Sequence, residues 1–489
     1  MSVGDTIPGA RSTLGVVRDL CAALEAEGIA YCHWKSNAFL DASRSGENDL
    51  DLLVGRADGA AFSTIVHRLG FKEALNPKKL LPGVVDYFAH DEDARRPVHL
   101  HAHYQLVVGD DLTKNYRIPL EEAFLAETTQ DGEFLVPRPE LELILLVIRL
   151  ALKHATWEAV LLRRATNPRG ALTEYRFLEE RADRDLLDRM LEQLLPTVDG
   201  PTLDACAQAV SSDSGTWGRV RASRPLLKAL QPYARRSRAA DVRLKVWRRA
   251  AGVLGRIGSR PPSRRRLLAG GRVIAFIGAD GAGKSTLVGE VQRWLAKDLA
   301  VTTLHLGRPP ASLTTHAVGL VVRTASVPSR IRRMRGAPSK GPPGPFRAAV
   351  AVALARDRAA AAAKARALAA NGALVVSDRW PLPELELMDG LRVERLLGGR
   401  RAGRRRRRLV ELEQRYYRAV GRPDVTIVLK VDPEVAVARK PEEDPEFVRR
   451  RWREIWAVDW DAVTAHVVDA GDPPDEVLAR VKAIIWSEL

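Results

Sequence analysis

The feature that most narrows the fold is GADGAGKST, from Gly278 to Thr286, set between the aliphatic run RVIAFI and the helical stretch LVGEVQRWL. It satisfies the pattern GxxxxGK[ST] in its required setting, a strand before and a helix after. Gly278, Gly281 and Gly283 let the backbone curl so that successive N–H groups face inward toward a phosphate. The helix that follows adds the partial positive charge of its first turn. In such a loop Lys284 reaches the β- and γ-phosphates of ATP, the Ser285 hydroxyl ligates magnesium, and Thr286 closes the cradle.

The surroundings fit. Five short aliphatic runs recur from residue 271 onward: RVIAFIG, VTTLHLG, ALVVSD, VTIVLKV and HVVDA. Continuous aliphatic strands alternating with helical stretches imply a parallel sheet covered on both faces. The reading is therefore an α/β P-loop domain over 271–489 with a five-stranded parallel sheet. The basic insert rich in Pro and Gly between its second and third strands reads as mobile.

Upstream, residues 1–130 alternate helical (16–27, 57–69) and extended (30–35, 49–54, 97–104) patterns, which indicates a second α/β domain. Residues 135–236 carry helical spacing without strand signals and show no chemistry-bearing pattern. Residues 237–270 hold a basic helix over 242–256 and the breaker SRPPSRRR, and read as a linker.

At 489 residues, 46% hydrophobic and 28% charged, the chain has enough apolar material for more than one core. Cys21, Cys32 and Cys206 form no CxxC pair, which fits a reducing compartment without disulfides or a cysteine zinc site. The amino terminus lacks a signal-peptide pattern, and no stretch reaches the about 18 apolar residues of a membrane helix. The expectation is a soluble cytoplasmic protein with no transmembrane segment, and a homodimer is among the assemblies left open. The net charge of +16 gathers in residues 235–266, 330–340 and 404–408. No aromatic-interleaved nucleic-acid module accompanies it, so the charge reads as phosphate handling and solvated segments, with polymer binding kept as an alternative.

Several further motifs follow the loop in order. Arg356-Asp357-Arg358 lies on an alanine-rich helix; Asp378-Arg379-Trp380 closes the third strand. PDVTIVLKVDPEVAVAR ends at Arg439, Arg449-Arg450-Arg451 follows, and VVDAGDPPDEV begins at Val467. Over about 220 residues this half resembles the thymidylate kinases and their nucleoside-monophosphate kinase relatives. The resemblance implies ATP and Mg2+ as cofactors and a small-molecule phosphate acceptor. By it, Asp280 faces the acceptor's sugar, Arg358 and Arg379 hold the acceptor phosphate, and Asp378 sits near the metal and nucleotide phosphates. Arg449 and Arg450 take the lid position. Lys284, Asp378, Arg379, Arg449 and Arg450 are the catalytic candidates, with Ser285 and Asp378 on the metal. The family's base-reading run is replaced by PLPELELMDG after the DR motif, and its arginine-acid-proline motif is reduced to Gly307-Arg308-Pro309-Pro310.

In the first 130 residues, Trp34-Lys35-Ser36-Asn37 precedes Asp49-Leu-Asp51-Leu-Leu-Val on an alternating strand. This resembles the nucleotidyltransferases. Alternation puts Asp49 and Asp51 on one face, where two carboxylates can share magnesium. By the resemblance, the turn at Ser36 holds a nucleotide phosphate. His99 stands where the third carboxylate is expected, with His101 and His103 beyond it. Active nucleotidyl transfer, an altered site taking a softer metal such as zinc or manganese, and a binding pocket without catalysis all stay open.

The functional expectation is ATP- and Mg2+-dependent phosphoryl transfer to a nucleoside monophosphate. A kinase of a non-nucleotide metabolite, an ATP-binding regulatory protein without transfer and a polynucleotide kinase are the rivals.

Overall fold

The computed structural model describes residues 13–77, 81, 83–154, 169–211, 216–257, 264–307, 309–312, 315–317, 344–387, 390–397 and 403–489. Arg308, the cluster at 330–340, most of the basic insert and residues 259–263 of the breaker lie outside the described residues. The chain divides into two compact units, Met1–Ser263 and Arg264–Leu489. The division falls inside the stretch read as linker.

In the N-terminal unit α1 (Gly15–Ala26) leads to β1 (Tyr31–His33) and β2 (Leu50–Val54). Then come α2 (Gly59–Arg68), β3 (Lys72–Leu75), β4 (Val84–Asp91) and β5 (Arg96–His103). These strands run in the order β1-β2-β5-β4-β3. The pair β2–β5 is parallel and the other pairs are antiparallel. Alternation along β2 decides what each face does. Leu50, Leu52 and Val54 enter a core with Leu20, Leu24, Phe62 and Ile65 of α1 and α2. Leu53 enters a second core shared with the helices downstream. Asp49 and Asp51 therefore fall on the side away from α1 and α2. Register sets Asp51 opposite His101 on β5, and His101 opposite Asp86 on β4.

The helices are α3 (Pro139–His154), α4 (Arg169–Glu179), α5 (Arg184–Leu194), α6 (Gly200–Ser211), α7 (Thr216–Ala229) and α8 (Arg238–Ile257). Two features differ from the sequence reading. The pattern over 172–193 is split, because Asp183 accepts from the Leu186 amide at 3.0 Å and starts a new helix. A hairpin of Thr128–Asp131 and Phe134–Pro137 also crosses the boundary drawn near residue 130.

The C-terminal unit contains β6 (Val273–Ile277), α9 (Lys284–Leu295), β7 (Val301–Leu304), α10 (Gly344–Ala370) and β8 (Leu374–Asp378). It continues with α11 (Arg404–Val420), β9 (Val425–Lys430), α12 (Pro433–Arg439), α13 (Pro445–Ala457), β10 (His466–Asp469) and α14 (Pro474–Glu488). The five strands form a parallel sheet in the order β7-β8-β6-β9-β10. All five residues of β6 are buried, as an aliphatic strand covered on both faces must be. Because β6 lies between β8 and β9, the connections leave its carboxyl end on opposite sides. That is the switch point at which open α/β sheets leave room for a ligand. Among the described residues no helix is long and apolar enough to cross a membrane.

Candidate functional site

The loop after β6 occupies that switch point. Gly281 and Gly283 have φ of +86° and +80°, a region side chains rarely enter. A Cβ on Gly281 would also stand 3.0 Å from the Ala436 carbonyl of α12. Gly283 then caps α9, which places Lys284 and Ser285 in its first turn. Lys284 is buried, and its Nζ donates to the Ala279 carbonyl at 2.8 Å. Burial first, then the Arg379 charge, push its pKa down to about 8 against the pull of Asp378 and Asp280.

Register Phe276↔Asp378 brings the end of β8 level with the loop. The Ser285 hydroxyl donates to Asp378 Oδ2 at 2.7 Å. The other carboxylate oxygen, Asp378 Oδ1, is buried with no hydrogen-bond partner among the described residues. A buried anionic oxygen left unmatched beside a hydroxyl forms a hard oxygen donor set, which suits magnesium.

Two clefts adjoin here. One, of about 380 Å³, is lined by the loop, with Asp378 and Arg379 from β8 and Arg439 and Lys440 from the end of α12. Arg439 reaches the carbonyls of Gly281 and Ala470. The other, of about 450 Å³, is lined by His305, Gly307, Leu354, Arg358, Arg379, Arg392 and Arg451. Arg379 and His305 border both. Gly307 lets them meet, since a Cβ there would lie 2.8 Å from the His305 ring and 3.0 Å from Arg379 Cδ.

The arginines of the second cleft are held firmly. Arg358 is 1% exposed; it donates to the Leu306 carbonyl at 2.9 Å, to the Gly307 carbonyl at 3.2 Å and to the Tyr417 hydroxyl. It is no solvated helix arginine. Arg379 adopts φ +70°, a strained backbone for a side-chain-bearing residue. Asp280 accepts from Arg379 through one oxygen and from Arg451 through the other. Burial works to raise the Asp280 pKa, but the charges of Arg379 and Arg451 hold it below the usual carboxylate value.

Of the three consecutive arginines on α13, Arg451 faces this cleft. Arg449 pairs bidentately with Glu434 at 2.7 and 2.9 Å and with Glu446 at 3.0 Å, on the surface. Arg450 lies over the Phe447 ring. Sequence reasoning placed the lid arginines within one residue of Arg451 but did not single it out. His305 and Arg392 were also missed, and no motif marks them.

In the N-terminal unit the Ser36 and Asn37 amides point at carboxylates of the helices. The Ser36 N–H donates to Glu174 Oε1 at 3.0 Å and the Asn37 N–H to Glu142 Oε1 at 3.1 Å. Burial, and then the charge of Glu174, raise the Glu142 pKa to about 8. Asp49 and Asp51 stand beside a histidine row. Asp49 Oδ1 lies 3.0 Å from His99 Nδ1, and Asp51 Oδ1 lies 3.3 Å from His101 Nδ1 and 2.8 Å from Lys35 Nζ. Asp86 completes the group from β4, which had not been read as a strand.

No protein-family model matches the chain. The Escherichia coli (strain K12) protein YghR, named an uncharacterized ATP-binding protein, is 27% identical over 226 residues, 44% of this chain and 86% of that protein. YghS of the same strain, similarly named, is 28% identical over 220 residues, 44% of this chain and 92% of its own length. Among solved structures, thymidylate kinase from Candida albicans aligns over 45% of this chain and 92% of its own. Its TM-score is 0.29 at 17% identity.

Proposed function

We propose that the C-terminal unit transfers the γ-phosphoryl group of ATP to a small phosphate-bearing acceptor, with a nucleoside monophosphate the first candidate. One observation carries the reading: a P-loop cleft and an arginine-lined cleft adjoin across Arg379. The names of YghR and YghS support ATP as the nucleotide.

In this reading Lys284 and the N-terminus of α9 hold the β- and γ-phosphates, and Arg439 borders the nucleotide beside Ala470. Ser285 and Asp378 would hold magnesium, which supplies charge neutralisation of the polyphosphate. An acceptor phosphate oxygen forms a bond to the γ-phosphorus as the β–γ bridging oxygen leaves with ADP. A phosphate oxygen is already an anion, so the step requires no base; among the described residues the lining of the acceptor cleft contains arginines and no carboxylate. Arg358, Arg379, Arg392 and Arg451 bring two anions together and stabilise the transferring group.

A second reading, phosphorylation of a non-nucleotide phosphate ester, is favoured by the PLPELE sequence where the resembling family reads its base. The test is incubation of the full chain with ATP and Mg2+ against nucleoside monophosphates and sugar phosphates, followed by phosphorus NMR. A diphosphate product identifies the acceptor. Absence of both transfer and ATP binding ends the proposal.

A further inference from the structure

The histidine row of the N-terminal unit is not among the residues assigned above to phosphoryl transfer, and its geometry calls for a ligand of another kind. His99, His101 and His103 are alternate residues of β5 and therefore share one face of the sheet. Asp49 Oδ1 and Oδ2 face the Nδ1 atoms of His99 and His101 at 3.0 and 3.8 Å. On the far side of the same two rings, Asp86 Oδ1 lies 3.0 Å from His99 Nε2 and 2.9 Å from His101 Nε2.

A carboxylate oxygen can only accept, and each ring has one on both sides, so without an ion both nitrogens of each ring donate, to Asp86 at Nε2 and to Asp49 or Asp51 at Nδ1. A cation seated between Asp49 and the two Nδ1 atoms would take the place of those Nδ1 protons, while Asp86 keeps the N–H at Nε2. A carboxylate behind each imidazole, holding its tautomer and orientation, is the outer-shell arrangement that accompanies metal-ligating histidines. The ligand atoms of Asp49, His99 and His101 lie within 4.8 Å of one another. Those of Asp51, His101 and His103 do so as well.

A second observation points to the same place. His103 is 8% exposed, and neither ring nitrogen has a hydrogen-bond partner among the described residues; its Nε2 stands 3.4 Å from Asp51 Oδ1. His103 belongs to the second group, which shares His101 with the first, so the unpartnered buried ring borders the same place.

We infer that Asp49, His99 and His101 bind a divalent transition-metal ion of the zinc type through one carboxylate and two Nδ1 atoms, with Asp86 as the positioning residue behind both rings. Imidazole favours zinc, cobalt and nickel, whereas magnesium prefers an all-oxygen set. At the turn read as the nucleotide-phosphate seat, the Ser36 and Asn37 amides already donate to Glu174 and Glu142. This inference stands whether or not the C-terminal unit proves to be a kinase.

The probe is Co2+ alone, then Zn2+ in competition, added to the untagged full-length chain without nucleotide. Visible cobalt bands at one equivalent, displaced by Zn2+ and unaffected by millimolar Mg2+, are expected. His99→Gln and His101→Gln abolish the bands, and Asp86→Asn weakens the affinity about 10- to 100-fold. X-ray absorption of the wild-type zinc form reports nitrogen at about 2.0–2.1 Å with imidazole scattering, which needs no variant to fold. An all-oxygen shell, or bands that survive both histidine substitutions, would overturn the assignment.

Discussion

Ser285 and Asp378 meet at 2.7 Å although 93 positions separate them, the first opening α9 and the second ending β8. The contact joins the glycine-rich loop to a neighbouring strand, and it leaves Asp378 Oδ1 buried with no partner among the described residues. Asp378→Asn keeps the shape and removes the charge. Transfer should fall about 10²- to 10³-fold, the cost of losing one preorganised electrostatic partner. Titration of ATP with and without Mg2+ should show the metal dependence gone. Retention of that dependence in the variant would place the metal elsewhere.

Lys284 gives a pH prediction. Its folded pKa, about 8, is below the 10.5 of the free side chain. Between these values the unfolded chain binds more protons, so stability rises with pH across that window. Nucleotide binding runs the other way. At pH 8.5–9 a polyphosphate draws a proton onto the amine, and calorimetry in buffers of different ionisation heat should record proton uptake. Lys284→Ala should remove the uptake and most of the transfer while leaving the fold intact. Uptake persisting in that variant would assign the proton to another group.

Arg451 and Arg449 should behave differently. Arg451 lines the cleft proposed for the acceptor and meets Asp280, whereas Arg449 sits in a surface network with Glu434 and Glu446. Arg451→Ala is expected to lower kcat about 10²-fold or more. Arg449→Ala should leave both stability and turnover close to wild type, because exposed ion pairs contribute little. Equal losses in both would show that Arg449 also acts in turnover despite its surface pairing.

Glu142 is a carboxyl whose folded pKa is raised from 4.5 to about 8 by burial and by Glu174. Between these values the folded chain binds the extra proton, so stability falls as pH climbs from about 4.5 to about 8. Glu142→Gln should flatten that slope and raise the Tm at pH 8, by roughly 2–4 °C for each kcal/mol recovered. The check is a set of melting curves at pH 5.5 and 8. A parallel slope in the variant would show that another group titrates there.

The sheet of the C-terminal unit was legible because its signals are local: an aliphatic run five residues long, and a glycine pattern whose meaning is set by the strand before it and the helix after it. Register and helix phase were less accessible. Which of Arg449, Arg450 and Arg451 turns inward depends on how α13 packs, with Trp452 buried beside them, and no local pattern states it. Asp86 was invisible for a related reason. It belongs to β4, a strand that matters to the cluster only through its pairing with β5. The carboxylates at the Ser36 turn lie 138 and 105 positions from the amides they meet, on helices whose sequence carries no motif. Arg358 showed only as the end of a short motif; its burial came from α10 meeting α11 at Tyr417.

Arg379 combines a side chain at the junction of the two clefts with a backbone at φ +70°. Glycine adopts that conformation freely, while other residues give up about 1 kcal/mol or more. Thermal selection for sturdier forms of this protein would therefore tend toward glycine at 379, and each such success would have lost the side chain that borders both clefts. Hardiness and turnover pull in opposite directions at that one position.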